Sequence, residues 1–291
     1  MRVGTRGSAL ALTQAGTVAA LLGDGAALVT ITTSGDRDRA ASDKEKWVKE
    51  LELALLAGEI DLVVHSAKDV PSVLPAGLEL VGAPPRSDPL DALVGAASLD
   101  ELRPGARVGT ASLRRAAQLR ALREDLEVVE IRGNVDTRLR LLEEGDLDAL
   151  VLAAAGLRRL GREAAIGCLL AQLVPAPGQG TLALEGRAGD ERAGAAARAI
   201  TDAATWAALS AERALVGRLD ASCNTPLGAH ATVGGEGIVL RTFVGLPDGS
   251  AWLTDETPPA ATPEAAGELA AERLLAAGAA DLLRRAEELA A

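Results

Sequence analysis

Lys68 and Asp69 stand in the run His65-Ser66-Ala67-Lys68-Asp69-Val70-Pro71, directly after an apolar stretch with the pattern of a buried strand. A carboxylate at the carboxyl end of such a strand can hold a cationic nitrogen and move protons. The same two residues can equally brace a turn before Pro71, and spacing alone does not choose. His65 reads as a satisfied strand residue rather than a base. Arginines gather where strand-to-helix loops should converge: Arg6, Arg114, Arg115, Arg132, Arg138, Arg158 and Arg159. A single surface arginine usually only solvates its helix, but pairs at successive strand ends point to an anionic ligand. Arg114 and Arg115 fall in the first turn of a helix, where the dipole prefers acids, so an anion is expected to supply the missing charge. Guanidinium groups pair bidentately with carboxylates as well as with phosphates. Cys223, in the turn-rich Asp220-Ala221-Ser222-Cys223-Asn224-Thr225-Pro226-Leu227-Gly228, is available as a thiolate nucleophile. Cys168, beside Ile166, Leu169 and Leu170, has the surroundings of an inert core thiol.

These groups need elements to hold them. Residues 1–5 read as a strand, followed by Ser8 capping a helix to about residue 22. Residues 28–33 form a β-branched strand, 34–41 a polar loop, and Ser42-Asp43-Lys44-Glu45 a capping box opening a helix that stops at Gly58. Strand and helix then alternate: strand 60–65, strand 107–110, helix from Ser112, strand 126–131, helix 135–144 after Gly133-Asn134, and strand 147–152. Alternation with short loops implies mostly parallel sheets covered on both faces, hence two α/β domains. Pro175-Ala176-Pro177-Gly178-Gln179-Gly180 breaks the pattern before an extended run at 181–185 and fits a crossing back to the first domain. After residue 200 come a helix at 204–219, strand-like runs with a turn at Pro247-Asp248-Gly249-Ser250, and a long C-terminal helix, together an α+β module.

Composition bounds the function. The chain has 291 residues, 48% of them apolar, yet one Phe, three Trp and no Tyr, so the cores are aliphatic. A net charge of −11 disfavours nucleic-acid binding. Two cysteines and two distant histidines give neither a disulfide framework nor a metal cage. No signal-peptide pattern and no apolar run of about 20 residues is present, so the expected location is cytoplasmic, with no membrane partner.

Taken in order, several stretches resemble the porphobilinogen deaminase family along essentially the whole chain. They are Thr5-Arg6-Gly7-Ser8, the His65–Pro71 run, Gly109-Thr110-Ala111-Ser112-Leu113-Arg114-Arg115, Arg132-Gly133-Asn134-Val135 with Thr137-Arg138, Ala155-Gly156-Leu157-Arg158-Arg159-Leu160-Gly161, residues 175–180, and Cys223 with Pro226 and Gly228. The resemblance implies two α/β domains like type 2 periplasmic binding proteins and a smaller α+β C-terminal domain. The boundaries would be 1–87 with 174–199, 88–173, and 200–291. It also implies a transferase of porphyrin and haem biosynthesis, working as a monomer and without metal. This enzyme joins four porphobilinogen molecules, with loss of ammonia, into the linear tetrapyrrole hydroxymethylbilane. The primer would be a dipyrromethane cofactor in thioether linkage to Cys223. Asp69, assisted by Lys68, would hold pyrrole N–H groups and stabilise the cationic charge left by ammonia loss. The carboxylates of substrate and cofactor would be bound by Arg6, Ser8, Lys44, Ser66, Thr110, Ser112, Arg114, Arg115, Arg132, Gly133, Arg138, Arg159 and Gln179.

The sequence departs from the family pattern at Asp43-Lys44-Glu45-Lys46-Trp47, where a glycine-rich lid is common, and at Ala221-Ser222 before the cysteine. Neither change removes a group that the chemistry needs. The rival reading is a non-enzymatic carboxylate-binding protein of the periplasmic-binding type, for which an anion cleft between two α/β domains also serves. Asp69 and Cys223 separate the two, since a binding module needs neither. A cysteine-dependent acyl transferase lacks a well-placed histidine.

Overall fold

The computed structural model describes residues 1–32, 48–221 and 225–290. Lys44, Trp47, Cys223 and the capping box at 42–45 therefore lie outside the described residues.

A first sheet is built from β1 (Arg2–Thr5), β2 (Ala27–Thr30), β3 (Leu62–Ser66), β4 (Leu78–Gly82) and β10 (Leu182–Arg187). A second is built from β5 (Asp91–Val94), β6 (Arg107–Gly109), β7 (Glu127–Val129), β8 (Ala149–Ala153) and β9 (Cys168–Leu170). Their orders are β2-β1-β3-β10-β4 and β7-β6-β8-β5-β9. Both follow one plan: the second strand of the unit, its first, its third, a strand entering across the junction, and its fourth. The strand that enters each sheet runs antiparallel to both of its neighbours. Four of the five strands in each sheet therefore run the same way, as the strand-helix alternation implies, and the entering strand is the exception. The physical reason is the two crossings: β5 and β10 each arrive from the other sheet, and alternation within one unit carries no sign of that.

Helices cover the sheets. In the first unit these are α1 (Ala9–Leu22), α2 (Lys49–Leu56) and α6 (Glu191–Ala199), the last absent from the sequence reading. In the second they are α3 (Leu113–Leu122), α4 (Val135–Glu143) and α5 (Ala154–Arg159). Ser8 caps α1 as the sequence implies, accepting from the Ala11 N–H, while Ser112 accepts from that of Arg115 and Asn134 from that of Thr137 at the starts of α3 and α4. The cores are aliphatic, with Val3, Val18, Leu62 and Leu184 buried in the first unit and Leu93, Val108, Leu119 and Val151 in the second.

The third unit packs α7 (Ala203–Arg218), α8 (Pro263–Ala276) and α9 (Ala279–Ala290) on the antiparallel sheet β11 (Leu227–Gly234), β12 (Gly237–Gly245) and β13 (Trp252–Glu256). The single C-terminal helix expected from composition is two, because Gly278 takes φ +99° between them.

The two crossing segments touch. The Ser87 N–H donates to the Gly180 carbonyl, and a Cβ at Gly180 would stand 2.5 Å from the Ser87 oxygen. Only glycine fits there. Glu212 of α7, fully buried, ties both crossings to the third unit. It accepts from both Arg86 guanidinium nitrogens (2.7 and 3.3 Å), from the Gly178 N–H (2.6 Å) and from the Ala231 N–H (2.8 Å).

Candidate active site

β3 ends in a single 3-10 turn, Ala67–Asp69, which sets Lys68 and Asp69 on the rim between the two α/β units. An inner cavity of about 270 Å³ has walls from both units. Arg6 and Ser8 come from the β1–α1 loop, Ser66, Lys68 and Asp69 from the end of β3, and Arg159 from α5 of the opposite unit. An outer cavity of about 1230 Å³ is enclosed by all three units. Its walls include Ser112, Arg114 and Arg115 at the start of α3, Arg138 of α4, Gln179, and Arg213 of α7. The two cavities share Val48, Lys68 and Asp69. Asp220, Ala221 and Thr225, which flank Cys223 in sequence, also line the outer one.

The electrostatics differ between the arginines. Arg114 and Arg115 are buried and converge on Asp91, itself wholly buried on β5. Arg114 donates to Asp91 at 2.7 and 3.2 Å and to the Val174 carbonyl at 2.7 Å; Arg115 donates from Nε to Asp91 at 2.8 Å. Gln179 adds a 2.8 Å bond to the same carboxylate. Burial pushes the Asp91 carboxyl up, but the two guanidinium charges more than offset it and hold the group well below the carboxylate range. The anion that the first turn of α3 requires is therefore supplied partly from within the chain. One carboxylate against two guanidinium ions still leaves an excess positive charge at the wall, and the buried Arg114 Nε has no hydrogen-bond partner among the described residues.

Arg138 and Arg159 are half-buried, and neither has a carboxylate partner among the described residues. Arg138 donates to the Gly133 carbonyl and Arg159 to that of Gly180. Burial, joined by the charge of Arg115, lowers the Arg138 guanidinium; burial alone lowers that of Arg159 to about 10. Both stay charged at neutral pH, and a ligand carboxylate would relieve the cost of their desolvation.

The remaining sequence candidates are placed as follows. Thr110 is buried and accepts from the Ser112 N–H, bracing the entry to α3. Gly133 takes φ +113° and supplies the carbonyl that orients Arg138. Arg132 is exposed, pairs with Glu130 at 2.9 Å and lines neither cavity. Arg158 pairs with Asp88 at 2.8 Å. His65 is satisfied through Nε2 by Glu185 at 2.7 Å, yet it also lines the inner cavity. Cys168 is partly exposed on β9, and burial raises its thiol. Among the described residues there is no cluster of metal-binding side chains.

Sequence reasoning missed Asp91, Glu185 and Glu212, all fully buried acids. The first two carried a signal, an acid set in an apolar run: Asp91-Ala92-Leu93-Val94 and Leu182-Ala183-Leu184-Glu185. Glu212 had none, since charges are ordinary in an Ala-rich helix.

Residues 1–195 match the family model described as "Porphobilinogen deaminase, dipyromethane cofactor binding domain", and residues 206–276 the one described as "Porphobilinogen deaminase, C-terminal domain". The curated porphobilinogen deaminase of Roseiflexus castenholzii is 47% identical over 97% of this chain and 98% of its own. That of Rubrobacter xylanophilus is 47% identical over 97% and 95%. That of Deinococcus radiodurans is 44% identical over 98% of each. Among solved structures, the methionine-binding protein MetQ gives a TM-score of 0.45 at 17% identity, over 71% of this chain and 91% of that one. On the sequence matches, which run nearly end to end, the chain belongs to the porphobilinogen deaminase family of transferases.

Proposed function

We propose that the chain condenses four porphobilinogen molecules, with loss of ammonia, into hydroxymethylbilane on a dipyrromethane primer joined to Cys223. One observation carries the reading. Two half-buried arginines without carboxylate partners, Arg138 and Arg159, stand in cavities that meet at Asp69. Porphobilinogen bears an acetate and a propionate, so each added ring brings two carboxylates that need such cations. The larger cavity is several times the volume of the smaller, which suits one incoming ring inside and an accumulating chain outside.

The donors around the outer cavity fit a dipyrromethane with four carboxylates: Arg114, Arg115 and Arg138 for charge, and the Ser112 hydroxyl for a hydrogen bond. When bound, that group supplies the pyrrole end from which the chain grows. Asp69 accepts N–H groups of the incoming ring and holds the cationic charge that develops as the amine departs. Each addition frees one proton from a ring carbon and consumes one in forming ammonia, so a carboxylate at this point can take up and return it. Lys68, next to Asp69 on the same turn, adds a cation for substrate carboxylates. Arg6 and Arg159, on opposite walls of the inner cavity, orient the ring across the junction. Gln179 holds the return crossing against Asp91. The domain division is 1–87 with 174–199, 88–173 and 200–291, acting as a single chain in the cytoplasm.

The direct test is the intact mass of the purified protein beside Cys223→Ser. An added mass equal to a dipyrromethane, absent from the variant, is the expected result. An unmodified chain that stays unmodified after incubation with porphobilinogen would leave a carboxylate-binding protein instead.

A further inference from the structure

Glu185 lies on β10, beside the register shift where that strand pairs with β4, and is fully buried. Buried acids elsewhere have cationic or multiple N–H partners: two arginines at Asp91, and Arg86 with two backbone N–H groups at Glu212. Among the described residues Glu185 has one partner, His65 Nε2 at 2.7 Å on the adjacent strand β3, and its buried Oε1 has no hydrogen bond. A pair serving only to join two apolar strands gains little over a hydrophobic pair of equal volume, because both groups must be desolvated. The imidazole, with 7% of its side chain exposed, lines the inner cavity alongside Arg6, Lys68 and Arg159.

Which ring nitrogens carry hydrogen depends on the tautomer. An imidazolium beside a carboxylate, or a neutral ring accepting at Nε2 from a protonated Glu185, leaves a hydrogen on Nδ1; a neutral ring donating from Nε2 to the carboxylate leaves Nδ1 bare. Nδ1 has no partner among the described residues.

We propose that the His65–Glu185 pair is a carboxylate-recognising element of the inner cavity: Glu185 fixes the ring through Nε2, and Nδ1–H donates to a carboxylate of the incoming pyrrole. His65 thereby joins Arg6 and Arg159 as a specificity-determining contact, and Glu185 is a positioning residue acting through it. The proposal rests on the functional reading above, and its first test does not depend on turnover.

The chain contains only His65 and His230, so histidine-selective ¹⁵N labelling of the full-length holoprotein gives a readable NMR spectrum, with His230→Gln identifying the second ring. The expected result is a protonated His65 Nδ1 at neutral pH. Its resonance should move on addition of a pyrrole that bears acetate and propionate groups but no aminomethyl group. A bare Nδ1, or an Nδ1 unaffected by a probe that demonstrably binds, overturns the proposal. Glu185→Leu removes every group that could hold Nε2, in either arrangement that leaves a hydrogen on Nδ1. In that variant KM for porphobilinogen is expected to rise about tenfold, the worth of one charge-assisted hydrogen bond, with the cofactor mass and kcat near wild type. An unchanged KM with only a lower melting temperature would assign the pair to stability alone. If Glu185→Leu does not fold, the wild-type spectrum decides. Absence of the covalent cofactor would overturn the functional reading and leave the ring's protonation state a separate result.

Discussion

Asp69→Asn is expected to fold, retain its arginine-lined cavities and lose most tetrapyrrole synthesis, with kcat down by about 10²–10⁴-fold. The side chain stands on a 3-10 turn at the junction of the two cavities, in the wall that both share with Val48 and Lys68. An amide keeps the shape and can still accept one N–H. It cannot neutralise a developing cation or carry the proton between ring carbon and amine. KM should change far less than kcat, because the carboxylate contacts of Arg6, Arg138 and Arg159 are untouched. Single-turnover assays, read alongside circular dichroism and the thermal midpoint, check this. Near-normal turnover from a folded variant would remove Asp69 from the chemistry.

The second large effect is on stability. Asp91→Ala should destabilise the chain by about 3–5 kcal/mol, because it strands two buried guanidinium ions rather than merely deleting a contact. Arg114 and Arg115 would keep their carbonyl partners at Val174 and Val151 but lose their only carboxylate among the described residues, and Gln179 would lose its hydrogen bond to β5. The crossing back to the first unit should loosen with them. Urea titration and the thermal midpoint measure the loss. The same residue gives a pH dependence with a definite sign. Its folded-state carboxyl lies far below the unfolded value of about 4, so its contribution is fully present above that value and is lost as pH falls through the folded one. Wild type should therefore lose stability on acidification below about pH 4 more steeply than Asp91→Asn, which starts lower. Equal acid slopes in the two proteins would contradict the assignment. If Asp91→Ala does not accumulate, the Asn variant still gives the comparison.

These effects separate what local sequence specifies from what assembly specifies. The cap at Ser8 was legible because a cap is a contact over three residues, between a side-chain oxygen and a nearby N–H. The strands around 2–5, 62–66, 107–109 and 149–153 were legible from apolar runs of the right length. The convergence of Arg6, Lys68, Asp69, Arg138 and Arg159 on two adjoining cavities could be anticipated because residues past the carboxyl ends of strands share one edge of a sheet. Other features depended on the third dimension. The antiparallel places of β5 and β10 come from two crossings between units, and no window along the chain contains both ends of a crossing. The counter-charge of Arg114 and Arg115 is a residue 23 and 24 positions away on another element, so sequence could register the need for an anion but not that Asp91 partly meets it. His65 and Glu185 are 120 residues apart, and only the pairing of β3 with β10 makes a satisfied strand histidine also a cavity-facing one. Sequence alone determined the family, the local elements and the chemical types at the site. Tertiary packing decided which charges remain uncompensated, because burial and long-range pairing, not residue type, set the free energy of an ion inside a protein.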